Sequence, residues 1–150
     1  MTPTAILRVI GAAAALVSGY AHLTLYNDGY DEIPSEFGGV AGLDLGQQFL
    51  INALGALAIA LGLVVPLFVE AVPDFVWKLA ALGGVVWAAL SLVAFYLAHE
   101  TDGGWFDYRD QPGLKPSPEA ALSVFSEAVV LVVAIVLLAL TARRGPSEAA

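Results

Sequence analysis

An all-α integral membrane four-helix bundle is the fold class this sequence predicts, with both termini cytoplasmic and two long extracytoplasmic loops. Three observations carry it. Of 150 residues, 59% are hydrophobic, against roughly 45–50% in ordinary soluble domains. The charges are segregated: none falls from Val9 to Asn27, Leu45 to Val69 or Leu79 to His99, and only Glu127 falls between Ala120 and Ala142. A bilayer takes about 20 mostly apolar residues per helix, so these four runs occupy most of the chain as one transmembrane domain, 1–150.

The first helix is expected at about 4–26. Its apolar run exceeds the h-region of a secretory leader, which predicts a retained span. The second, about 44–65, contains "GALAIALGLVV", apolar all round and unsuited to a soluble bundle that needs polar outer faces. Pro66 and Pro73 bracket a short turn into the third helix, about 75–99, where Trp77 and Lys78 form an interfacial anchor. Ser117, Pro118 and Glu119 read as an N-cap, a proline at the first helical position and an acid at the positive helix end. They start the fourth helix, about 118–142.

Orientation follows from the cations. Arg8, Lys78, Arg143 and Arg144 lie at one side, whereas the loops 27–43 and 100–117 and their margins hold ten acids against Arg109 and Lys115. Positive residues favour the cytoplasm, which predicts a multi-pass protein of the plasma (inner) membrane with both long loops outside. With no cysteine in the chain, single introduced cysteines test this cleanly. Replacements of Asp31 and Asp107 should react with an impermeant thiol reagent on intact cells, and labelling at a replacement of Glu70 would invert the topology.

Composition also excludes functions. Absence of cysteine removes disulfides, thiolate ligands and CxxC redox chemistry. The net charge of −8 is wrong for nucleic acid, which demands basic patches. "NDGYDE" lacks the ligand spacing and closing glutamate of an EF-hand, and no GxSxG, Walker, Rossmann or HExxH pattern occurs.

What remains is a polar level in the outer half of an otherwise aliphatic bundle. At ~1.5 Å rise per residue, His22 and Gln48 lie ~6 Å below the outer helix ends, and Ser18, Asn52 and Glu127 a turn or more deeper. Ser18 and His22 are spaced i,i+4, as are Gln48 and Asn52, and Glu119, Ser123 and Glu127 form one stripe. Small residues continue these faces (Gly11, Ala14, Ala15, Gly55, Gly62), so the polar stripes face the interior, where membrane helices approach closely. Glu127 is the strongest signal, since a charged acid at the bilayer centre costs at least ~2.5–3.5 kcal/mol. A hydrogen-bonded glutamate joining helices is the structural alternative. His22 and Glu127 are expected to share a pocket with Asn52 between them, separated by ~7 Å along the axis, long for a direct bond. The aromatics mostly supply an interfacial belt, with Tyr96 taken into the site. The candidate ligand-binding set is thus His22, Gln48, Asn52, Tyr96, Ser123 and Glu127.

The stretches "AHLTLYNDGYDEIP", "GQQFLINALGALAIALGL" and "SVFSEAVVLVVAIVLLAL" resemble an uncharacterised family of small four-helix bacterial membrane proteins. In that family a histidine ends the first helix, and a Gly-Tyr…Ile-Pro loop leads into a Phe-Leu-x-Asn helix. The resemblance would assign His22, Gly29, Tyr30, Ile33, Pro34, Phe49, Leu50, Asn52 and Glu127 to the pattern. It implies a fold and a shared pocket rather than an activity, and the second outer loop, "HETDGGWFDYRDQPGLKPSP", is longer and more acidic than the pattern.

Two function classes stay open. One is a binding protein with an outward pocket. His22, His99 and Glu127 would suit copper or zinc there, because imidazole and carboxylate are good ligands for both. A b-type haem between the two histidines is a lesser variant, because the flat macrocycle needs facing helices. The other class is a non-catalytic accessory subunit, docked on other membrane protein subunits or on itself, whose polar residues are helix glue. An enzyme or proton-coupled transporter using Glu127 has less support, since four helices leave little room for alternating access.

Overall fold

The computed structural model describes residues 1–27, 40–100 and 117–143. Its elements are α1 (Pro3–Asn27), α2 (Leu45–Val64), a 3₁₀ turn (Val65–Leu67), α3 (Phe75–Glu100) and α4 (Pro118–Arg143). All four helices are long and apolar enough to cross a membrane, and no strand occurs among the described residues. The architecture is that of a small polytopic membrane protein. The central parts of both long loops, with Gly29, Tyr30, Ile33 and Pro34, lie outside the described residues.

Local chemistry sets the helix starts. Asp44 caps α2 in a capping box: its Oδ1 accepts from the Gln47 amide at 2.6 Å, and the Gln47 side chain accepts from the Asp44 amide at 3.2 Å. Just before it, Val40 and Leu43 exchange two backbone bonds around Ala41 and Gly42, both with positive φ (52° and 83°). That two-residue reversal aims the chain into the cap. Ser117 caps α4, accepting from the Ala120 amide at 3.1 Å, with Pro118 at the first helical position as its fixed φ favours.

Each helix packs on two neighbours: α1 on α2 and α4, α3 on α2 and α4, with α1 and α3 diagonal. The core is mainly alanine (Ala12, Ala15, Ala56, Ala60, Ala81, Ala88, Ala134) around Leu63, Val130 and Leu137. Leucines such as Leu54, Leu61, Leu79 and Leu90 face outward. This inverts the soluble pattern and suits lipid, where small interface residues let backbones approach and large apolar ones meet acyl chains. Gly62 shows how tight the seams are: a Cβ there would lie 2.6 Å from the Ala80 Cβ of α3.

Candidate functional site

The polar residues of the bundle core meet at the end where α2 and α4 begin. Glu127, 2% exposed on α4, and His22, 6% exposed on α1, are bonded directly, Nε2 to Oε1 at 2.8 Å. This corrects the expected axial gap. Side chains lean toward the N-terminus of their helix. Since α1 and α4 run antiparallel, His22 leans away from the mouth and Glu127 leans toward it. The offset between their backbones is closed by the side chains.

Two hydroxyls complete the cluster. Ser18, one turn before His22, donates to Glu127 Oε1 at 3.1 Å, and Ser123, one turn before Glu127, donates to the same atom at 3.0 Å. Their oxygens are 3.1 Å apart, and Ser123 Oγ lies 3.2 Å from His22 Nε2. Three donors therefore converge on one carboxylate oxygen, leaving Oε2 with no partner among the described residues. The network puts the imidazole proton on Nε2, an assignment made from the bonding pattern. His22 Nδ1 is buried without a partner. The ring is held between Phe49, at 5.5 Å and 40°, and the edge of Trp87, at 6.3 Å and 78°. Trp87 Nε1 is likewise buried and unpartnered.

This cluster forms one wall of a cavity of about 110 Å³, where a single water needs only ~10–15 Å³. The facing wall carries Gln48 and Asn52 of α2 and Ser91 of α3, and Phe49 and Phe95 supply flat apolar surface. Ser91 donates to Asn52 Oδ1 at 3.4 Å, and Gln48 Nε2 donates to the carbonyls of Leu43 and Asp44, both at 3.3 Å. Asn52 thus braces α2 to α3 within that facing wall, instead of standing between His22 and Glu127 as expected.

Of the six expected ligand-binding residues, His22, Gln48, Asn52, Ser123 and Glu127 line this cavity. Tyr96 does not: it is 58% exposed on the outer face of α3, one position from the cavity-lining Phe95, and fits an interfacial belt. His99 lines the cavity, stacked on Phe95 at 4.0 Å with its Nδ1 3.0 Å from the Phe95 carbonyl. The expected metal set of His22, His99 and Glu127 is not assembled. Among the described residues no three His, Cys, Asp or Glu side chains converge as metal ligands, because His22 and Glu127 are turned onto each other and His99 onto its own helix. Sequence reasoning missed Ser91, the polar residue that α3 contributes, as well as Phe95 and Trp87, and it reached Phe49 only through the family resemblance. Only Ser91 left a signal, as the hydroxyl two turns before His99.

Of the residues assigned by the family resemblance, His22, Phe49, Asn52 and Glu127 gather at this cavity. No protein-family model matches the chain, and neither the curated proteins nor the solved structures give a match.

Proposed function

We propose that this is a binding protein, whose cavity takes a small, partly apolar molecule and anchors its polar group on the His22–Glu127 pair. The observation carrying the reading is that a buried His–Glu pair forms part of a cavity wall, in a bundle whose packed core is mainly alanine and aliphatic side chains. A pair serving only as helix glue needs no cavity beside it, and closing the bundle with one more alanine layer would be cheaper. Oε2 of Glu127 offers an acceptor to a ligand N–H or O–H, Gln48 and Asn52 line the facing wall, and Phe49 and Phe95 suit a flat apolar body. No covalent step is assigned to the site. The test is purification in mild detergent, then mass spectrometry of small molecules released on denaturation. The parent should release a compound at near-stoichiometric yield, and Ala98→Phe, which fills the cavity from a lining position, should release none. Equal yields from both proteins would remove the reading. Recovery of stoichiometric partner chains with no small molecule would favour the accessory subunit.

A further inference from the structure

At the opposite end of the bundle a second charged group is buried. Arg8 of α1 is 6% exposed, and its Nε donates to the carbonyl of Leu63, in the last turn of α2, at 2.7 Å. That carbonyl belongs to the partially negative end of α2 and accounts for only part of the guanidinium. Nη2 is buried with no partner. The guanidinium carbon lies 5.2 Å from the centre of the Trp77 ring, and Lys78 Nζ lies 5.8 Å from the same ring. Two cations are thus gathered on one indole. No carboxylate pairs with either: among the described residues the carboxylate contact to a basic side chain is that of Glu127 with His22. Asp74 acts on Arg8 only from beyond contact distance.

A buried cation without a counter-charge is costly, and cation–π contacts soften that cost without neutralising the charge. The group sits at the first turn of α3, beside the short 65–74 connection, where a span leaves the apolar layer and lipid phosphates lie. Basic pockets between membrane helices at this level suit acidic headgroups. We infer that Arg8, Lys78 and Trp77 form a binding site for the phosphate of an anionic phospholipid. Arg8, covered by the bundle, supplies fixed charge and holds Trp77 in place. Lys78 is exposed and makes the direct contact. Asp74, also exposed, opposes the anion and limits its affinity. The site shares no residue with the cavity and stands independently of the proposed function.

The experiment is native mass spectrometry of the whole protein in a neutral maltoside detergent. It is titrated with phosphatidylglycerol or with phosphatidylcholine of the same acyl chains, alongside thermal melts that include inorganic phosphate. Phosphatidylglycerol should bind in preference to phosphatidylcholine and raise the melting temperature. Lys78→Gln and Arg8→Gln should each weaken it about fivefold, the usual worth of one basic residue at an anionic surface. Asp74→Asn should keep or tighten binding. If Arg8→Gln does not fold, the two exposed positions decide. Equal binding of both lipids by the parent, or unchanged phosphatidylglycerol binding by Lys78→Gln, would overturn the site. Inorganic phosphate stabilising as strongly as the lipid would overturn the lipid assignment.

Discussion

Glu127→Leu should destabilise the bundle by about 2–5 kcal/mol, since it removes the acceptor of three bonds worth ~0.6–1.7 kcal/mol each in membrane proteins. Ser18, Ser123 and His22 all donate to one oxygen of Glu127, and all three residues are buried. Without that oxygen the two hydroxyls and the imidazole are left only with one another, Ser123 Oγ standing 3.1 Å from Ser18 Oγ and 3.2 Å from His22 Nε2. Glu127→Gln is the informative companion. It keeps a carbonyl oxygen where Oε1 stands, so both serines and His22 can still donate, and its stability should fall within ~1 kcal/mol of the parent. It lacks the charge and turns one acceptor into a donor, so any compound held through Oε2 should be lost. The measurement is reversible unfolding in mixed micelles for both variants, paired with small-molecule release. If Gln retains the parent's bound compound, the carboxylate has no binding role. If Leu is as stable as the parent, the network does not hold the helices.

The four helices were legible because a membrane span is written in length and charge exclusion, two properties that one sequence displays directly. The ends agree to within about a residue, since Asp44, Ser117 and Pro118 state their capping chemistry locally. The membership of the site was legible in part, because polar residues at i,i+4 spacing on an apolar helix have to face inward. Its connectivity was not. Axial rise gives the depth of a Cα, whereas a bond depends on which way the side chain leans, and antiparallel helices lean toward each other. That is why His22 and Glu127 meet at 2.8 Å across an apparent gap of a full turn. Tyr96 misled for a related reason. Neighbouring positions on a helix differ by about 100° in direction, so Phe95 lines the cavity while Tyr96 faces outward. Arg8 was read only as topology and Lys78 as topology and an interfacial anchor with Trp77, because nothing in the sequence shows that Arg8 turns into the bundle.

Gly62→Val should be the most damaging single change outside the polar cluster. A Cβ at Gly62 would stand 2.6 Å from the Ala80 Cβ, with the Ala80 Cα at 3.8 Å and the Val76 carbonyl at 3.9 Å. The nearest obstacle is a methyl fixed directly to the helix backbone, so no rotamer change relieves it. Either α2 and α3 move apart or one of them rotates. The short connection between them, residues 65–74, resists both motions. Separation also disturbs Leu63, the next residue along, whose side chain is in the core and whose carbonyl holds Arg8. Overpacking of this kind costs about 1–3 kcal/mol, and losing the Arg8 anchor adds to it. Even Gly62→Ala should destabilise, although alanine is the better helix former by ~1 kcal/mol. Gly83 of α3 supplies the control, because a Cβ there meets nothing within 4 Å. Gly83→Ala should therefore be neutral or mildly stabilising in the same unfolding measurement. Equal stability of Gly62→Val and Gly83→Val would mean that the α2–α3 seam is not closed at Gly62.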